Sequence, residues 1–204
     1  IGCGDVTEVK SGPGFQKALG SALTAVMRRN GKLAEDYARR HGVPKWYDDA
    51  DKLIHDSEVD AVYIATPPSS HKEYALRAAE AGKPVYVEKP MALNYQESEE
   101  MVRVFREKQI PLFVAYYRRA QPKFLAVRDV LESGDIGEVR FVRIALYRPA
   151  AQEEVSGNAL PWRVMPEISG GGHFVDLGSH TFDLVDFLFG PVVKLHGYAS
   201  NHAQ

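Results

Sequence analysis

The residues best suited to chemistry are gathered in one short stretch, Gly170-Gly171-Gly172-His173-Phe174-Val175-Asp176-Leu177-Gly178-Ser179-His180-Thr181-Phe182-Asp183. His173, Asp176, His180 and Asp183 follow one another at offsets of three, four and three, the spacing of side chains along one face of a helix. Imidazoles and carboxylates in such a row suit a metal site, an acid–base pair or a buried polar seam, and the spacing alone admits all three. A second candidate is Lys89, at the end of an apolar run in Val87-Glu88-Lys89-Pro90. Strand ends face the ligand crevice in an open α/β sheet, so a lysine there can steady charge on a substrate oxygen.

At the N-terminus, Gly2-Cys3-Gly4-Asp5-Val6-Thr7 carries the first two glycines of a dinucleotide turn, with Thr7 in place of the third. Glycine allows the tight bend, and the backbone N–H groups that follow, at Asp5 and Val6, can approach a pyrophosphate. An NAD-preferring site ends its next strand with Asp or Glu, which binds the ribose 2′-hydroxyl. Here that place reads Met27-Arg28-Arg29-Asn30. A guanidinium pairs with a 2′-phosphate through two parallel hydrogen bonds, whereas a carboxylate repels it. Arg28 and Arg29 therefore predict NADP(H) as the preferred cofactor, with NAD(H) second.

These residues need elements to hold them. Apolar runs over Leu23–Met27, Val59–Ala65, Pro84–Val87 and Leu112–Ala115 read as strands. They alternate with helix-period segments over Lys32–His41, His71–Ala81 and Tyr95–Lys108, the pattern of parallel strands with crossover helices. Asn94 and Glu97 form a capping pair, and Gly42 and Gly82 stand where helices end. From about residue 118 the pattern changes to a helix over Pro122–Ser133, an alternating strand over Glu138–Tyr147 and a loop holding Pro149, Gly157, Pro161 and Pro166. A helix over Phe174–Phe189 closes at Gly190-Pro191, and Val192–Tyr198 reads as a further strand. Apolar residues all round the last helix predict that it is largely buried. The expected division is a dinucleotide-binding domain over 1–117 and an α+β domain over 118–204.

Bulk properties exclude more than they assign. The 204 residues are 45% hydrophobic, enough for a packed core, and 25 Lys and Arg against 27 Asp and Glu leave a net charge of -2. The two signs are mixed along the chain, so no nucleic-acid partner is expected. The single cysteine, Cys3, permits no intrachain disulfide, and a reducing, cytoplasmic setting is the default expectation. No apolar run reaches the roughly 20 residues of a membrane span. Ile1-Gly2-Cys3-Gly4 resembles the tail of a strand, and the segment after the last helix has too few strands for a sheet, so the chain is expected to be part of a longer protein. Leu160-Pro161-Trp162-Arg163 offers an aromatic face with a cation for a hydroxylated ring, and Tyr116 and Arg118 stand where the chain leaves the first domain. Trp162, Arg163, Tyr116 and Arg118 are candidate substrate contacts.

In their order along the chain, several segments resemble the Gfo/Idh/MocA family (glucose-fructose oxidoreductase, inositol dehydrogenase, rhizopine catabolism). They are the glycine turn, Ala65-Thr66-Pro67-Pro68-Ser69-Ser70-His71, Ala81-Gly82-Lys83-Pro84, Glu88-Lys89-Pro90, and Gly170-Gly171-Gly172 ahead of Asp176 and His180. The resemblance implies a Rossmann-type cofactor domain, here with its first strand truncated, followed by a partial α+β substrate domain with an open sheet. It implies NAD(P)-dependent hydride transfer at a hydroxyl-bearing carbon of a sugar, cyclic polyol or related small molecule, without a metal, in a homo-oligomeric parent protein. Carried over by position, Lys89, Asp176 and His180 are the catalytic residues, Ala65, Thr66, Pro67 and His71 belong to the loop near the nicotinamide, and Glu88 precedes the catalytic lysine. Tyr117 stands where many members have Asn. The competing reading is a dinucleotide-binding sensor or scaffold that keeps the fold without turnover.

Overall fold

The computed structural model describes residues 1–147, 149, 151 and 160–200. Five short parallel strands form the centre of the first half: β1 (Ala25–Met27), β2 (Lys45–Tyr47), β3 (Val62–Ile64), β4 (Val85–Val87) and β5 (Leu112–Val114). β1 pairs with β2, while β3, β4 and β5 pair in that order. Residues 1–3 join the two ladders. The Gly2 N–H donates to the Met27 carbonyl at 2.8 Å on one side, and the Ala65 N–H donates to the Ile1 carbonyl at 2.9 Å on the other.

The first helix follows the glycine turn, π-helical over Thr7–Ser11 and then α-helical as α1 (Gly12–Lys17). The strands are connected by α2 (Gly31–His41), α3 (Ala50–Ile54), α4 (His71–Glu80) and α5 (Tyr95–Glu107). Their boundaries follow local chemistry. Asn30 Oδ1 accepts from the Leu33 N–H at 3.3 Å and Asn94 Oδ1 from the Glu97 N–H at 2.9 Å, which satisfies otherwise orphaned first-turn donors. The Glu97 carboxylate reaches back to the Leu93 N–H, one residue before the cap. β2 and α3 have no counterpart in the periodicity, because three and five residues are too few to display one.

Alternation along β3 and β4 puts Val62, Ile64, Val85 and Val87 into the core, where they meet Ala75 and Ala78 of α4 and Met101 and Phe105 of α5. Each fully buried Val or Ile contributes about 1.5–3 kcal/mol. This layer keeps the strand ends in line. Arg28, Ala65, Glu88 and Ala115 each come directly after the last residue of a strand, on one edge of the sheet.

Beyond the sheet lie α6 (Pro122–Ser133), α7 (Pro166–Ser169) and α8 (Gly172–Phe189). Two expected strands are absent. Residues 138–147 and 192–198 have no strand assignment, and Phe141 is 84% and Val193 97% exposed. Alternating apolar residues supply a face, but a strand also needs a neighbour to take its backbone hydrogen bonds. Gly157, in the expected loop, lies outside the described residues. The expectation of a largely buried α8 also fails: Phe174 is 72% exposed, and the buried residues of this helix are His180 and Asp183. The polar row, not the apolar one, faces the rest of the protein.

Candidate active site

The strand ends open onto a cavity of about 480 Å³, within the usual range for small-molecule sites. The glycine turn forms one wall, with Gly2, Gly4, Asp5 and Val6 lining it, and Arg28, Arg29 and Asn30 stand beside them at the end of β1. Ala65, Thr66 and Pro67 follow β3, and Glu88 and Lys89 follow β4. From the second half come Trp162, Arg163 and Asp176. Segments far apart in sequence thus line one space.

The turn depends on glycine at position 2. Gly2 has φ +84°, and a Cβ there would lie 2.7 Å from Thr66 Cγ2 and 2.9 Å from Thr66 N. Thr7, in the third glycine's place, is buried and its hydroxyl donates to the Gly4 carbonyl at 2.7 Å, bracing the turn. Arg28 also braces it weakly, Nη1 to the Cys3 carbonyl at 3.4 Å. The positive end of the first helix, the two guanidinium groups and the Glu88 carboxylate fit the phosphates and hydroxyls of a dinucleotide.

Lys89 and Asp176 meet across the cavity. The Lys89 ammonium donates to Asp176 Oδ1 and, at 3.0 Å, to the Asp176 carbonyl, and both side chains are mostly buried. On its other side Asp176 Oδ2 lies 4.0 Å from Arg163 Nε, and Arg163 stacks over the Trp162 ring at 4.5 Å. The Lys89–Pro90 peptide bond is cis. At Gly170, φ +84°, a Cβ would lie 2.6 Å from the Leu93 carbonyl oxygen, so the close approach is to the loop after Lys89.

Four expected site residues lie off this cavity. His180 is buried, its ring edge-on to Tyr116 and Tyr117 at 5.9 and 5.1 Å, and its Nδ1 has no hydrogen-bond partner. Burial, followed by the charges of Lys89 and Arg118, pushes the imidazole down to about 4. Asp176 is therefore engaged with Lys89 rather than with His180, although one helical turn separates the pair as the spacing required. His71 is wholly buried, Nδ1 facing the Pro90 carbonyl at 2.9 Å and Nε2 the Thr66 carbonyl at 2.7 Å. It ties two cavity loops together instead of lining the space. Burial holds it below its ordinary value.

Tyr116 lines a separate cavity of about 410 Å³ with Arg119, Asp183 and Asp186, and Arg118 stacks over Phe124 at 5.9 Å. Burial, then the charge of Asp183, pushes the Tyr116 hydroxyl up. Asp183, which had no assigned partner, pairs with Arg119, whose Nε donates to Oδ1 at 2.7 Å. Arg119 also reaches Asp186 at 3.0 Å. Lys89 after β4 and Arg119 after β5 thus grip α8 two turns apart, at Asp176 and Asp183. Sequence reasoning missed Arg119 because nothing local marks it from its neighbour Arg118. Among the described residues no group of three or more His, Cys, Asp or Glu is arranged to hold a metal ion, and no helix is long and apolar enough to cross a membrane.

Strand order, glycine turn and cavity together define a chain with a nucleotide-binding Rossmann fold followed by a smaller α-helical and extended part. Comparison with known proteins identifies which: residues 1–116 match the family model described as "Oxidoreductase family, NAD-binding Rossmann fold", and residues 124–204 match the GFO/IDH/MocA C-terminal domain. The chain belongs to this GFO/IDH/MocA oxidoreductase family. An oxidoreductase of Formosa agariphila is 46% identical over 96% of this chain and 61% of its own length, so the chain spans less than two thirds of that relative. Among solved structures, a levoglucosan dehydrogenase in complex with NADH and levoglucosan superposes with TM-score 0.72 at 29% identity, over 83% of this chain and 45% of its own. A 3-ketoreductase from Actinomadura kijaniata, in complex with NADP and TDP-benzene, gives TM-score 0.77 at 27% identity, over 93% of this chain and 56% of its own.

Proposed function

We propose that the protein is an NAD(P)-dependent dehydrogenase or reductase that transfers a hydride at a hydroxyl-bearing carbon of a sugar, cyclic polyol or related small molecule. The observation that carries this reading is the Lys89–Asp176 pair on the wall of the cavity that also holds the glycine turn. The nicotinamide cofactor supplies the hydride acceptor or donor. Gly2, Gly4, Asp5 and Val6 receive its phosphates, and Lys89 sits where the substrate oxygen gains or loses charge. Loss of hydride from an alcohol is easiest when the hydroxyl proton leaves with it. Lys89 stabilises that oxygen, and Asp176 accepts or returns the proton through it. His180, neutral near pH 7, lies off the cavity against Tyr116 and Tyr117 and takes no proton in this reading, and Trp162 and Arg163 border the substrate.

Arg28 and Arg29 favour NADP(H), since each offers a paired set of donors to a 2′-phosphate. A division at 117/118, a cytoplasmic setting and a homo-oligomeric whole protein belong to the same reading. The test is a panel of sugars and cyclic polyols assayed with NADP⁺ and NAD⁺, comparing wild type with Lys89→Met. Turnover by wild type, reduced about 10²–10⁴-fold in the variant while cofactor binding persists, supports the enzyme. Cofactor binding with no turnover of any panel member turns the assignment toward a sensor.

A further inference from the structure

The Glu88 carboxylate lines the dinucleotide cavity, yet the groups that set its orientation lie behind it. Its Oε2 accepts from the Lys89 N–H at 3.2 Å, and its Oε1 accepts from the Tyr63 hydroxyl at 2.5 Å. Tyr63 is the middle residue of β3, whose neighbours Val62 and Ile64 point into the core, so its ring lies on the opposite face. There it lines a separate cavity of about 290 Å³ and packs between Phe15 at 5.0 Å and Tyr86 at 5.5 Å. Phe15 belongs to α1, the helix that continues from the glycine turn. Tyr63 thus connects the phosphate-side helix, through Phe15, to the residue beside Lys89.

We propose that Tyr63 is a positioning residue, holding the Glu88 carboxylate in the orientation in which it receives ribose hydroxyls of the bound dinucleotide. The inference rests on the dinucleotide reading above. Each carboxylate oxygen has one donor behind it and keeps lone-pair capacity for the ligand. Burial, then the charge on Glu88, moves the Tyr63 hydroxyl far above its ordinary range, so it stays a donor at every working pH. A phenylalanine would keep the ring packing and remove the hydroxyl, and with it the bond to Glu88 and the interaction with Ser11.

The experiment is a double-mutant cycle on the full chain, with NADPH affinity read by fluorescence titration and ligand-free melting by calorimetry. Tyr63→Phe should weaken NADPH binding about 5–10-fold with its melting midpoint nearly unchanged. Glu88→Gln should weaken it as well, and in that background Tyr63→Phe should have almost no further effect, because neighbours acting through one bond are not additive. Tyr86→Phe, in the same ring cluster, should bind as wild type does. The proposal is overturned if Tyr63→Phe binds normally, if its loss is equal in both backgrounds, if Tyr86→Phe loses as much, or if the loss simply follows a fall in melting temperature. Wild type that binds neither NADPH nor NADH overturns the dinucleotide reading itself, an outcome distinct from normal wild-type binding with additive losses.

Discussion

Two regions with similar apolar content end in opposite states. Val62, Ile64, Val85 and Val87 are almost completely enclosed, whereas Phe141, Ile144, Val193 and Leu195 are more than half exposed. Side-chain type does not separate them. The first set has parallel neighbours on the sheet and helices α4 and α5 across it, while the second has no ladder partner among the described residues. Apolar alternation is therefore a capacity for burial that only a neighbour turns into stability.

Substitution on either side gives the sharpest test of that contrast. Gly2→Val joins an unfavourable positive φ to a Cβ 2.7 Å from Thr66 Cγ2, and is expected to destabilise by about 2–4 kcal/mol. Urea unfolding measures it, and a loss below about 1 kcal/mol would mean that the sheet edge relaxes far more than its packing implies.

The buried histidines make a pH test of the next size. His180 titrates at about 4 in the folded chain against an ordinary 6.5, so the unfolded state takes up the proton first as pH falls. This contribution is then level above about 6.5, declines between 6.5 and 4, and levels again, a change on the order of 3 kcal/mol. His71 acts in the same sense. Glu8 is held down to about 2, chiefly by its hydrogen bond from Arg40, so its contribution is present above pH 4.5 and lost only below that value. Between pH 7 and 4.5, His180→Gln should flatten part of the slope in denaturant midpoints, and an unchanged slope would remove His180 from the account.

At the rim of the cavity the expected effect falls on binding alone. Arg28→Ala with Arg29→Ala should weaken NADPH about tenfold and NADH less than twofold, read by fluorescence titration. Equal losses would assign these arginines to general charge attraction. The smallest effect belongs to the unpartnered region: Phe141→Ser should leave the unfolding free energy of this chain within about 0.5 kcal/mol of wild type, read by urea unfolding. A larger loss would mean that the segment packs after all.

Much of the site was legible because its residues carry local constraints. The glycine turn, Lys89 after an apolar run, and Asp176 on a helix are each marked by spacing, and all line one cavity. Arg119 and Tyr63 were not legible. An arginine among Tyr116-Tyr117-Arg118-Arg119 and a tyrosine in a strand look ordinary until Asp183 and Glu88 are brought to 2.7 and 2.5 Å.

By itself, the sequence determined the helices with strong caps and period, the apolar runs that alternate with them, and the kinds of group available for chemistry, since all of these are written within a few residues. Tertiary structure alone decided which partner each group took. Asp176 lies one turn from His180 along the helix, yet it is held by Lys89, 87 residues away in the chain. His71, which the family resemblance put in the loop near the nicotinamide, is enclosed between two carbonyl groups. The physical reason is that charge pairing and desolvation depend on distance in space, and the sheet edge sets those distances.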